Sequence, residues 1–135
     1  MYFCIYNSLD MITKDEVLEL LTSTETYRVE RTISTGNMDK FCEAICAFAN
    51  DMPNSRKNGY LIIGAHDDGK LSGLKVDDAL MKKISGIRSD GNILPLPTMS
   101  VDRFVFPEGD LLVAEVRPSD LPPVRYRGRA FIRIG

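Results

Sequence analysis

The stretch from Phe41 to Gly73 constrains this chain more than any other. Phe41, Cys42, Ile45, Phe48 and Ala49 recur at helical spacing after a Thr35-Gly36-Asn37 turn, which predicts a helix over 38–50. A polar loop follows, then Gly59 and an unbroken aliphatic run, Tyr60 to Ala65, closed by the Asp67-Asp68-Gly69 turn. A strand that is apolar at every position is covered on both faces, so Leu61 and Ile63 are expected on one face and Ile62 on the other. Phe41, Ile45 and Phe48 are expected to pack against one of them.

The remaining segments extend this α/β order. Thr13-Lys14-Asp15-Glu16 reads as a capping box that starts a helix, with Val17, Leu18, Leu20 and Leu21 as its buried stripe. MYFCIY suggests a short strand or anchored terminus, and the β-branched segment 26–33 a strand. A third helix is expected over 77–87, with Val76, Leu80, Ile84 and Ile87 on one face. Beyond Pro95 and Pro97 the pattern is all strand: 99–106, 111–116, and a hairpin of 124–126 and 130–134 about Arg127-Gly128. The predicted fold is mixed α/β (α+β), with one central mixed sheet flanked by about three helices and a C-terminal β-hairpin.

A length of 135 residues fits one domain with its own core, expected to span 1–135. Three cysteines, Cys4, Cys42 and Cys46, are too few and too odd for a disulfide framework, and a reducing cytoplasm is the expected setting. No apolar run is long enough to span a membrane, and the first ten residues lack the pattern of a signal peptide.

Two stretches together resemble the Schlafen AlbA-type domain, also called the divergent AAA domain. Ala47-Phe48-Ala49-Asn50, Gly59, the aliphatic strand to Gly64, Asp67-Asp68-Gly69 and Gly73 match its signature, and PPVRYRGRAFIRIG is similar to its closing motif. Bacterial proteins of this type are commonly transcriptional regulators with further domains downstream. The resemblance therefore implies a nucleic-acid-binding module, DNA ahead of RNA, forming the N-terminal part of a longer regulator. Homo-oligomerisation stays open. The older family label implies ATP, but no GxxxxGK[ST] phosphate loop occurs and no cofactor is expected.

Charge is unevenly placed. Residues 1–53 carry four basic and nine acidic side chains (−5), residues 54–135 thirteen basic and ten acidic (+3). No acid occurs from Leu121 onward, whereas Arg125, Arg127, Arg129 and Arg133 do. Side chains alternate along a strand, so Arg125, Arg127 and either Arg129 or Arg133 are expected in one row, with Tyr126 and Phe131 opposite. That row, assisted by Arg56 and Lys57 of the polar loop, is the candidate nucleic-acid site. The alternative is a solvated edge hairpin whose charges deter aggregation, in which case the chain is a protein-interaction or regulatory module.

A second candidate site is carboxylate-based. Glu25 and Glu30 stand five apart at the entry to the 26–33 strand and Asp67 and Asp68 end the next, so neighbouring strands would bring them to one edge. Clustered oxygens suit magnesium or manganese, which polarise phosphodiesters in nucleases. In the ribonuclease branch of the Schlafen family, two glutamates five apart and a later aspartate form such a site. The resemblance assigns these roles to Glu25, Glu30 and Asp67 or Asp68. Two departures stand against it: Glu30-Arg31-Thr32 lacks the family's E-F-K lysine, and residues 51–58 replace its double glycine. Cys42 and Cys46 share a helical face but lack further ligands, and His66 stands alone in a turn.

Overall fold

The computed structural model describes residues 12–134; the apolar start and Cys4 lie outside them. Helix α1 (Lys14–Leu21) begins at the expected capping box, where the Glu16 N–H donates to Thr13 Oγ1 and the Thr13 N–H to Glu16 Oε1. Val17 and Leu21 are buried, but Leu18 faces solvent, so the stripe is narrower than expected. At the other end Arg31 donates to the carbonyls of Leu20 (2.9 Å) and Ser23 (3.2 Å), placing a cation where the helix leaves acceptors open.

Strand β1 (Val29–Thr32) is shorter than the 26–33 expected. The Arg28 and Val29 amides both donate to the Glu25 carbonyl, which bends the preceding residues into a turn. Helix α2 (Met38–Asn50) has the predicted bounds, with Asn37 Oδ1 accepting the Lys40 N–H as its cap. Strand β2 (Gly59–Ile63) follows, then α3 (Asp78–Ser85), capped by Asp77 and continued by a 3-10 turn, Gly86–Arg88. The strands β3 (Ile93–Leu94), β4 (Met99–Phe106), β5 (Gly109–Val116), β6 (Arg125–Tyr126) and β7 (Arg129–Ala130) complete the chain.

The main sheet has four strands in the order β1-β2-β5-β4, with β1 parallel to β2 and the other pairs antiparallel. This is the mixed α/β class read from the sequence. One detail differs: the C-terminal hairpin does not join this sheet. It pairs with β3 in a separate three-stranded sheet, β3-β6-β7.

Both faces of the main sheet are buried, as the aliphatic runs require. Leu61, Ile63, Leu112, Ala114 and Val116 face α2 and α3 in one cluster; Tyr60, Ile62, Leu111 and Val113 face α1 in the other. Phe41, Ile45 and Phe48 lie in the first cluster, as expected. Gly59 is required where it stands, because a Cβ there would collide with the Phe48 ring. Cutting Phe48 back to alanine should therefore lower the free energy of unfolding by roughly 3–5 kcal/mol, read as a lower denaturation midpoint in urea. Near-wild-type stability would show that this ring does not anchor α2 to the sheet.

Candidate functional site

The end of α2 decides how the C-terminal segment is held. The helix stops at Asp51, whose backbone is left-handed at φ 43°. The side chain of Asn50 is thereby aimed at the C-terminal segment. Its Nδ2 donates to the carbonyls of Val124 (2.9 Å) and Phe131 (2.8 Å), while Oδ1 accepts the Val124 N–H (2.6 Å). One amide thus replaces three backbone partners and ties both arms of the hairpin to the helix. The buried Cys46 thiol also donates to the Val124 carbonyl, at 3.2 Å. Burial raises the Cys46 thiol above its ordinary value and pushes that of Cys42 up to about 11, consistent with packed, unreactive side chains.

Arg127 and Gly128 make the hairpin turn, both with positive φ (49° and 82°), as a tight turn between twisted strands requires. The Arg127 N–H donates to the Asn92 carbonyl and its guanidinium lies 5.3 Å from the Tyr126 ring centre. The Tyr126 hydroxyl donates to Asp39 Oδ1 at 2.5 Å, and that bond, with burial, raises the phenol to about 12. Arg125 lies opposite Leu94 and Ala130 in the pairing, all three exposed, on the side away from buried Ile93 and Tyr126. Arg129 pairs with Tyr126 and is exposed. Among the described residues neither Arg125 nor Arg129 pairs with a carboxylate.

Arg133 belongs elsewhere. It donates to Glu30 Oε2 (2.6 Å) and to the carbonyls of Thr26 (2.7 Å) and Val29 (3.3 Å), with its guanidinium over the Phe48 ring. Strand β7 ends at Ala130 instead of continuing to 134, because Asn50 and Arg133 lead the chain down to β1. The expected row of arginines is corrected accordingly: Arg125 and Arg129 lie on opposite faces of the hairpin with Arg127 in its turn, and Arg133 is a structural tie.

The same tie engages the carboxylate candidates. Glu30 is taken by Arg133 and, at 3.7 Å, by Lys40; Glu25 pairs with Arg28 at 2.7 Å. Because β1 and β2 run parallel, Glu25 before the start of β1 and Asp67-Asp68 beyond the end of β2 lie at opposite ends of the sheet. Asp67 and Asp68 are exposed in a turn whose Gly69 packs against the Leu21 carbonyl. Among the described residues no three His, Cys, Asp or Glu side chains come near enough to hold a metal ion. His66 is exposed in the same turn.

The polar loop 51–58 is organised around Asp51. Its carboxylate accepts the Ser55 amide and hydroxyl on Oδ1 and the Arg56 amide on Oδ2, which leaves the Arg56 side chain outward. Arg56 lines a cleft of about 1160 Å³ at this end of the sheet, between the loop and the segments 95–98 and 117–122. Lys57 is exposed beside it. The cleft floor includes Glu115, only 9% exposed, whose Oε2 accepts the Tyr60 hydroxyl (2.8 Å) and the Asn58 amide (3.2 Å). Burial and that carboxylate together raise the Tyr60 phenol well above its ordinary value. Sequence reading passed over Asp51 and Glu115. An acid inside the aliphatic run LLVAEV was the available signal for the second.

A family model described as Schlafen, AlbA_2 matches residues 25–135. No curated protein matches the chain. Among solved structures, the N-terminal domain of a putative ATP-dependent DNA helicase RecG-related protein from Nitrosomonas europaea, determined by solution NMR, is similar. The TM-score is 0.58 over 88% of each chain, at 23% identity, a likeness of fold.

The Arg133–Glu30 contact generates a clean test of structural against binding roles. Both side chains are mostly buried and the pair is supported by backbone acceptors, so Arg133→Gln should cost about 2 kcal/mol of stability. Arg125→Gln, at an exposed position, should stay within about 0.5 kcal/mol of wild type. Equal melting temperatures for the two variants would contradict this assignment.

Proposed function

We propose that this chain, which belongs to the Schlafen AlbA_2 family, binds nucleic acid electrostatically through the hairpin arginines Arg125, Arg127 and Arg129, assisted by Arg56 and Lys57 of the loop 51–58. The observation that carries the reading is the hairpin itself. Its three arginines are exposed, Arg127 in the two-residue turn and Arg125 and Arg129 in the strands beside it, and the hairpin is held from behind by Asn50, Asn92 and the Tyr126–Asp39 bond. Exposed guanidinium groups on both faces and in the turn of one hairpin, with one weak counter-charge, Asp39 at 3.9 Å from Arg127, suit phosphates that pass around its tip. The hairpin runs along α2: its base, at Val124, is tied to Asn50 at the helix's C-terminal end beside the 51–58 loop, and Tyr126 and Arg127 meet Asp39 at the N-terminal end, so Arg56 and Lys57 would contribute from the far end of that helix.

Such contacts confer affinity without sequence readout. The module would then supply grip, and specificity would reside in whatever else a longer regulator carries. We place DNA ahead of RNA as the partner. No helix of the described residues is long and apolar enough to cross a membrane. The nuclease reading would need Glu25, Glu30 and Asp67 or Asp68 to converge with magnesium or manganese, and their placement gives it no support.

The test is a salt series. Fluorescence anisotropy with a labelled oligonucleotide should show log affinity falling with log salt, by roughly 0.7–0.9 for each phosphate contact. Arg125→Gln combined with Arg129→Gln should weaken binding and flatten that slope, whereas Lys82→Gln combined with Lys83→Gln at exposed positions of α3, an equal loss of charge, should do neither. Unchanged binding in the arginine double variant would move the site elsewhere. No binding by the wild type at low salt would favour a protein-interaction module.

A further inference from the structure

In the cleft beside Arg56 the hydrogen-bond donors are occupied and acceptors are left over. The amides of Arg117, Ser119 and Leu121, which line it, donate to the Thr98 carbonyl (2.9 Å), the Ala49 carbonyl (2.8 Å) and Ser119 Oγ (3.1 Å). Asn50 Nδ2 serves the hairpin and Asn58 Nδ2 serves Glu115 Oε2. Pro95, Pro97, Pro118 and Pro122 add carbonyls to the lining and no N–H groups.

The carboxylates complete this imbalance. Glu115 is more than nine-tenths buried, and its Oε2 accepts from Tyr60 and Asn58, but Oε1 accepts no hydrogen bond from the described residues. Oε1 keeps contact with solvent, because the single fully buried side-chain polar atom without a partner among the described residues is Arg31 Nε. Asp120 is exposed and forms no ion pair among the described residues. With Glu16 and Asp51, four carboxylates line the cleft against two guanidinium groups, Arg56 and the already engaged Arg117, which leaves two negative charges.

An occupant must therefore be a cation that brings its own donors. A bare metal ion does not fit, since no three acids of the described residues come near enough to hold one. A guanidinium fits, with five N–H donors in a planar fork and an aliphatic stem suited to the exposed side chains of Leu96 and Leu121. The cleft, at about 1160 Å³, exceeds the roughly 300–1,000 Å³ of a small-molecule pocket, so the flanking backbone of a chain enters with the side chain. We infer that the cleft docks an arginine presented by a partner protein, with its guanidinium on Glu115 Oε1. None of the hairpin arginines lines this cleft, so the inference goes beyond the nucleic-acid reading and does not rest on it.

The experiment titrates the protein, without nucleic acid, with acetyl-Gly-Arg-Gly-amide and with the same peptide carrying citrulline, which keeps the shape and loses the charge. Binding is followed by the NMR shifts of the Ser119 amide and the Asn58 side-chain amide. The arginine peptide should move both resonances and bind about tenfold more tightly than the citrulline peptide, the worth of a hydrogen bond to a charged group. Glu115→Gln still offers Tyr60 an acceptor but puts an N–H donor in place of Oε1, so the two peptides should then bind alike. Asp120→Asn, at an exposed position, should weaken the arginine peptide about threefold with the fold intact. Equal binding of the two peptides by wild type, or shifts confined to residues outside the cleft, overturns the inference. So does an unchanged preference in a folded Glu115→Gln protein; should that variant fail to fold, Asp120→Asn decides. Spermidine binding as tightly as the arginine peptide also overturns it, because the cleft would then take any polyamine. The nucleic-acid reading is untouched by each of these outcomes and is decided by its own salt series.

Discussion

The hydrogen bonds of one side-chain amide, that of Asn50, set where the last dozen residues of this chain run. A helix end normally leaves carbonyls open and its cap residue free to face solvent. Here the left-handed turn at Asp51 sends the backbone away and leaves the Asn50 amide to bind both arms of the C-terminal hairpin. Aspartate offers no N–H to the two carbonyls and leucine offers nothing, so the position demands an amide. With Val124 and Phe131 held, β6 pairs with β3 and β7, and Arg125, Arg127 and Arg129 are left exposed.

The other residues of the motif serve the same architecture. Gly59 admits the Phe48 ring, and Gly64, at φ 113°, leaves room for the Asp110 carbonyl, which lies 2.6 Å from where a Cβ would stand. Asp110 in turn is buried and accepts the Val76 amide at 3.0 Å, fixing the approach to α3. Arg133 closes the far end against Glu30 and Phe48. A motif made of small residues and buried polar ties specifies close approaches of backbone, and chemistry is left to the residues between its fixed points.

Much of this fold is legible in the residues, for a physical reason. Helix α2 and strand β2 announce themselves because burial is carried by periodic or continuous apolar side chains, a local signal. Strand β7 was overextended because Phe131 and Ile132 look like strand residues, while the partners that divert them, Asn50 and Glu30, lie 81 and 103 positions away from Phe131 and Arg133. The arginine row failed at the same place and for the same cause. The carboxylate cluster failed on direction: Glu25 and Asp67 look adjacent in a list of strand ends, but parallel pairing separates a strand's start from its neighbour's finish. Asp51 and Glu115 escaped notice because a single acid becomes informative only when its burial is known.

If Asn50 organises the hairpin, its removal should be felt by residues that are not themselves altered. Amide hydrogen exchange at Val124, whose N–H ends on Asn50 Oδ1, measures this directly in wild type and in Asn50→Ala. The account predicts much faster exchange at Val124 in the variant, with α2 and β2 still protected, and weaker nucleic-acid binding although every arginine is present. Unchanged protection at Val124 together with unchanged affinity would contradict it.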